Sequence, residues 1–181
     1  SEGWQDISSG LYHWTMSTVQ AHSPATAWLS SVPATTSDQK LVSPVFSLPT
    51  GEDPLSLSFW HRWTFDSASA CNDGGVLEIS TNNGETWVQV SSSYILTNPY
   101  TGTIRSGVVN PIAGRRAWCG VTDWTWTVVD LAAYAGENVT FRFRMGSGNA
   151  GAAEGWYLDD LRVQSCIQPA PQQLFLPMLM K

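Results

Sequence analysis

The chain is short of charge. Charged residues make up 13% of its 181 positions, about half the usual share of a globular domain. Lys and Arg number 9 against 15 Asp and Glu, giving a net charge of -6. The nearest approach to a basic cluster is Arg115-Arg116. Binding a phosphate backbone needs clustered cations, so nucleic acid is excluded as a partner. No run of about 18 apolar residues occurs, so no transmembrane segment is predicted. Catalytic signatures are missing too. There is no Gly-x-Ser-x-Gly elbow and no His-Glu-x-x-His helix. Glu78 has no second acid at glycosidase spacing, and strict alternation sends Asp159 and Asp160 to opposite faces. His13, His22 and His61 are far apart and no Cys-x-x-Cys pair exists, which argues against zinc. The reading is of a chain that is not an enzyme. It begins at Ser1 without a basic and then apolar leader, and so reads as part of something longer.

What is present is β structure. Leu55 to Phe65 alternates with period two, placing Leu55, Leu57, Phe59, His61, Trp63 and Phe65 on one face. Val139 to Met145 alternates again, with Arg142 and Arg144 expected to face water. Val76 to Ser80, Thr86 to Val90, Thr125 to Val129 and Tyr157 to Val163 are further predicted strands. Clusters of Pro, Gly, Ser, Asn and Asp separate them. Helical periodicity never lasts beyond about a turn or two, Leu131 to Tyr134 being the best short candidate. The pattern predicts an all-β fold, an antiparallel jelly-roll β-sandwich. Its expected extent is residues 1–163. Residues 164–173 read as a Pro/Gln-rich linker and residues 174–181 as an apolar C-terminal segment, either a docked strand or a sorting tail. The 10 Trp read mainly as core and hairpin residues. Trp124 and Trp126 share a face and form a candidate sugar platform.

Three positions raise a chemical question. Ser80 to Trp87 fits the pattern S-x-D/N-x-G-x-T-W and resembles the Asp-box hairpin, with Asn82 where Asp is usual. There Asn82 holds the turn, Gly84 supplies a positive φ and Trp87 covers it. Asp159 is expected beside Tyr157, Leu161 and Val163. If those face the core, its carboxylate needs a cation, a metal or several donors. His61 poses the same problem. One reading is a His61–Asp159 hydrogen bond or two separately satisfied groups. The other is a calcium site using Asp159 and Asp73, completed by backbone carbonyls.

A family resemblance emerges from an ordered series. "AHSPATAW", "SDQKLVSPVFSLP", "LSFWHRW", "DGGVLEISTNNGETW", "YTGTI", "NPIAGRRAW", "NVTFRFRMGS" and "GWYLDDLRV" together resemble an accessory β-sandwich of bacterial secreted multidomain proteins. That module often follows peptidase domains and is similar to MAM and concanavalin-like jelly rolls. The resemblance covers roughly residues 20 to 163 and implies a non-catalytic module, sometimes with structural calcium. His61, Asp73, Gly74, Gly75 and Asp159 fall on its recurrent positions. The three Cys allow one disulfide and one leftover thiol. Where the family has other residues, this chain has Cys71 and Cys119, so the resemblance implies a Cys71–Cys119 disulfide and leaves Cys166 over. Such a bond implies an oxidising, extracellular setting. "LFLPMLMK" resembles short C-terminal endings of secreted bacterial proteins.

The expectation is therefore a secreted or cell-surface module beside a parent catalytic domain. It would stabilise that parent or attach it to a surface, polymer or protein partner. The other binding reading is a carbohydrate-binding module that engages an extracellular glycan through exposed aromatics.

Overall fold

A computed structural model describes residues 3–65, 71–107, 109–149 and 151–165. Among them the chain forms β1 (Gln5–Asp6), β2 (Thr15–Ser17), β3 (Ala27–Val32), β4 (Ser37–Val42), β5 (Phe46–Ser47), β6 (Leu55–Thr64) and β7 (Gly74–Ser80). Then follow β8 (Val88–Gln89), β9 (Ile95–Thr97), β10 (Gly102–Thr103), β11 (Arg116–Ala117), β12 (Val121–Asp130), β13 (Asn138–Ser147) and β14 (Ala153–Ser165). Two single-turn 3-10 helices, Ser92–Tyr94 and Ala132–Tyr134, are the only helical pieces described. The second falls where the sequence predicts a short helix.

The strands build two six-stranded antiparallel sheets and a two-stranded one, β10-β11. The first runs β1-β4-β13-β7-β8 with β5 on β13, and the second runs β2-β3-β14-β6-β12-β9. Successive long strands switch sheets, from β3 to β4, β6 to β7, β12 to β13 and β13 to β14. This is the expected sandwich. Its core lies between inner faces supplied by alternation. Leu77, Ile79, Phe141, Phe143 and Met145 come from the first sheet, and Leu57, Phe59, Trp63, Trp156 and Leu158 from the second. Every residue assigned to the core face of β6 and its continuation, from Leu55 to Phe65, is buried. The strand predicted at Thr86 to Val90 is shorter, pairing only Val88 and Gln89 with β7.

A second, smaller core sits on the outer face of the first sheet. Val76 packs there against Ile104, Ile112, Ala117 and Cys119. The Cys71–Cys119 disulfide is present, with Cα atoms 5.3 Å apart, and ties this layer to the start of β7. Close packing also explains Gly74 and Gly75. A Cβ on Gly75 would lie 2.4 Å from the Trp156 ring, and one on Gly74 would lie 2.6 Å from the Trp118 carbonyl oxygen. The pair opens a strand that nothing larger could enter.

β14 runs through Gln164 and Ser165, the first two residues of the expected linker. The rest of that linker, Cys166 and the apolar segment 174–181 lie outside the described residues.

Candidate functional site

The outer face of the second sheet carries the most distinctive chemistry. Its geometry follows from one irregularity in β14. Up to Asp159 the strand pairs regularly with β6, and after a register shift pairing resumes at Arg162. Asp160 has φ +50°, the left-handed conformation that Asp tolerates better than most residues. The extra residue is a β-bulge and reverses which side chains face inward. Before it Trp156 and Leu158 are in the core; after it Leu161 and Val163 pack on the core.

Strict alternation therefore fails at the carboxylates. Asp159 is not on the face of Leu161 and Val163. It pairs with Trp60 on the outer side, where Arg62 lies over the Tyr157 ring at 5.7 Å. Nor do Asp159 and Asp160 point to opposite faces, because both reach the same dipeptide. Asp159 Oδ2 accepts from the backbone N–H groups of His22 at 2.9 Å and Ser23 at 3.0 Å. Its Oδ1 accepts from the Asp160 N–H at 2.8 Å. Asp160 accepts from the Ser23 hydroxyl at 3.1 Å and lies 2.9 Å from His22 Nδ1. The hydrogen bond with His22, and then that from Ser23, outweigh burial and hold the Asp160 carboxyl below the usual range. Asp159 thus meets its burial requirement with several donors, one of the three solutions expected for it.

This placement separates the residues of the expected calcium site. Asp73 lies just before β7 in the other sheet, where its Oδ1 accepts from the Gly148 N–H at 2.6 Å. The lone pairs of Asp159 face three backbone N–H dipoles, a poor arrangement for binding a cation. A calcium shared by Asp73 and Asp159 does not fit. Among the described residues no three His, Cys, Asp or Glu side chains gather into a metal-binding group.

His61 does not bond to Asp159 either, because it points into the core. The Trp156 indole N–H donates to its Nδ1 at 3.2 Å, and its Nε2 lies 2.9 Å from the Thr127 hydroxyl. Burial drives its pKa down to about 3, so it is a neutral core ring.

Trp124 and Trp126 both emerge on the outer face, though they are not equivalent. Trp126 is 46% exposed and pairs across the ladder with Trp60. Trp124 leans on Tyr157, with ring centroids 6.4 Å apart, and meets the edge of His22. His22 stacks flat on Trp60, 3.8 Å between centroids and 11° between planes. A hollow of about 320 Å³ opens beside this stack, lined by Ser58, Trp126, Asp160, Arg162 and Gln164. Trp60 could have been found as the outward partner of the β6 core face. His22 carried no such signal.

The first sheet carries the other polar cluster. Glu78 is 3% exposed and meets Arg142 at 2.5 Å, Arg115 at 2.7 Å and Arg144 at 3.7 Å. Arg144 also grips Asp38 through two bonds. Arg142 lies 4.3 Å from the Trp87 ring centroid. Arg142 and Arg144 thus leave the core as expected but spend their charge on carboxylates. Burial alone would raise the Glu78 carboxyl; hydrogen bonds from Arg142 and Arg115 outweigh it and keep the group ionised. That is the reverse of what a general acid requires. The hairpin beside it is held as the Asp-box pattern implies. Asn82 Oδ1 accepts from the Thr86 N–H at 3.0 Å, and Gly84 takes φ +86° under Trp87.

No family model matches the chain. A stretch of 40 residues, 22% of the chain, is 42% identical to bacillopeptidase F of Bacillus subtilis (strain 168) and spans 3% of that protein's length. Among solved structures, the K1 cleaved adhesin domain of Lys-gingipain from Porphyromonas gingivalis W83 aligns over 92% of both chains, with TM-score 0.54 and 16% identity. TmCBM61, solved in complex with β-1,4-galactotriose, aligns over 91% of this chain and 89% of its own, with TM-score 0.53 and 13% identity. The Endo-D glycoside hydrolase domain from Streptococcus pneumoniae R6 aligns over 88% of this chain but 21% of its own, with TM-score 0.51 and 13% identity. At these identities the likeness is one of fold: the chain is an antiparallel β-sandwich similar in architecture to an adhesin domain and to a galactotriose-bound module.

Proposed function

We propose that this chain is a non-catalytic binding module of an exported bacterial protein, and that the outer face of the β6–β12–β14 sheet engages an extracellular glycan. The observation that carries the reading is Trp126, a half-exposed indole beside the His22–Trp60 stack, with Asp160, Arg162 and Gln164 around it. Aromatic faces take the apolar faces of sugar rings, while fixed polar groups take the hydroxyls. The likeness to TmCBM61 supports the glycan, and the disulfide supports an oxidising compartment. The partial match to bacillopeptidase F supports a peptidase parent. The Arg-bound Glu78 and the backbone-bound Asp159 support a role without acid–base chemistry.

A protein partner is the second reading, favoured by the likeness to the gingipain adhesin domain. Affinity gel electrophoresis over a set of soluble polysaccharides separates the two. The glycan reading expects retardation of the native protein and its loss in Trp126→Ala, with thermal unfolding unchanged. Native protein that migrates freely in every polysaccharide gel sinks it.

A further inference from the structure

Three ladder rows define the shape of the outer face. Trp126, Trp60 and Asp159 lie side by side; next come Val128, Ser58 and Arg162; then Asp130, Ser56 and Gln164. In the second and third rows the central strand supplies only serine, while its neighbours supply larger side chains. The face is therefore troughed along β6. Two hollows occupy the trough. The one beside Trp60 continues into a second of about 570 Å³, which reaches Pro54, Leu96 and Ala132. Both are lined by Ser58, Trp126 and Gln164, so the two hollows adjoin. From Trp60 to Pro54 the strand direction covers about 20 Å.

The two sides of the trough differ chemically. Trp126, Val128 and Leu96 form an apolar side, whereas Gln164, Arg162 and Asp160 form a polar one. A chain of sugar rings has the same division, with apolar ring faces and polar edges. Charge narrows the class. Asp160 stands at one end and Asp53 and Asp130 at the other, on a chain of net charge -6. Arg162 is the cation between them, and its field already acts on Asp160. A polyanion would meet repulsion at both ends of the trough.

Resting on the glycan reading above, we infer that the trough takes an internal stretch of a linear, uncharged polysaccharide laid along β6, and not the terminal sugar of a chain. Trp126 sits at the junction of the two hollows and is the anchor. Leu96 and Val128 extend the contact toward Pro54.

Calorimetric titration with neutral β-1,4-linked galacto-, gluco-, xylo- and manno-oligosaccharides, from disaccharide to hexasaccharide, and with polygalacturonate, tests this. Affinity for the preferred series is expected to rise about tenfold or more with length. Borohydride reduction of the terminal sugar should leave it unchanged. Leu96→Asp should abolish the gain with length yet keep disaccharide binding, and Trp126→Ala should abolish both. Affinity that is flat with length, or lost on reduction, overturns the internal-chain inference and leaves the glycan reading standing. So does binding confined to polygalacturonate and weakened by salt. Failure of every sugar to bind overturns both.

Discussion

The indole N–H of Trp156 donates to Nδ1 of His61 at 3.2 Å inside the core. That bond fixes the neutral tautomer, leaving Nε2–H to donate to Thr127 at 2.9 Å. The His61 pKa is about 3 in the fold, against 6.5 for an ordinary His. Above pH 6.5 the ring is neutral in both states and adds no pH dependence. As pH falls through that value, the unfolded chain binds a proton that the folded chain refuses. Stability then drops by about 1.4 kcal/mol per pH unit until pH nears 3. Urea unfolding at pH 7 and pH 5 should show native protein losing about 2 kcal/mol more than His61→Gln. His13, whose pKa is raised by its hydrogen bond with Asp6, works in the opposite sense but is common to both proteins. Equal losses would contradict the buried neutral ring.

Asp159→Ala should loosen the hold of β14 on the segment at His22 and Ser23, leaving only the side-chain bonds to Asp160. Three backbone donors lose their acceptor, an effect of about 1–3 kcal/mol. Thermal unfolding should show the same drop with excess calcium and with chelator. A drop seen only in calcium would restore Asp159 as a metal ligand.

Glu78→Gln should destabilise by about 2–3 kcal/mol, below the full value for a buried pair because the arginines keep some contact with water. The Glu78 pKa is lowered in the fold. Its contribution is therefore complete above the unfolded pKa and lost as pH falls through the folded one. Denaturant titrations should show the gap between native and variant protein narrowing from pH 7 to pH 3. A constant gap would place the cost in packing rather than charge.

The Cys71–Cys119 bond closes a loop with a sequence separation of 48. The Cys71→Ala/Cys119→Ala double variant should lose about 2–4 kcal/mol by denaturant titration. No loss would mean that the small core around Val76 and Ile104 holds the segment unaided.

Much of the fold was legible because burial on a strand has period two. Leu55 to Phe65 announced its inward face, and with it, by exclusion, the outward position of Trp60. The hairpin at Asn82 and Gly84 was legible because its bonds are local, joining residues no more than four positions apart. The site was only half legible. Trp126 was visible as an outward aromatic, but the roles of Asp159 and Asp160 were not.

What the chain determined by itself was the alternation, the turns and the burial those patterns demand; a carboxylate at Asp159, if buried, needs partners. Which partners it found was decided only in three dimensions. A single left-handed residue at Asp160 adds one position to β14 and reverses its faces, and no Gly or Asn at that position marks it. The donors then come from His22 and Ser23, 137 and 136 positions away. Periodicity reports the environment of each strand. Contacts at such separations depend on how strands from distant parts of the chain are placed side by side, and the bulge changes that placement without changing the local pattern.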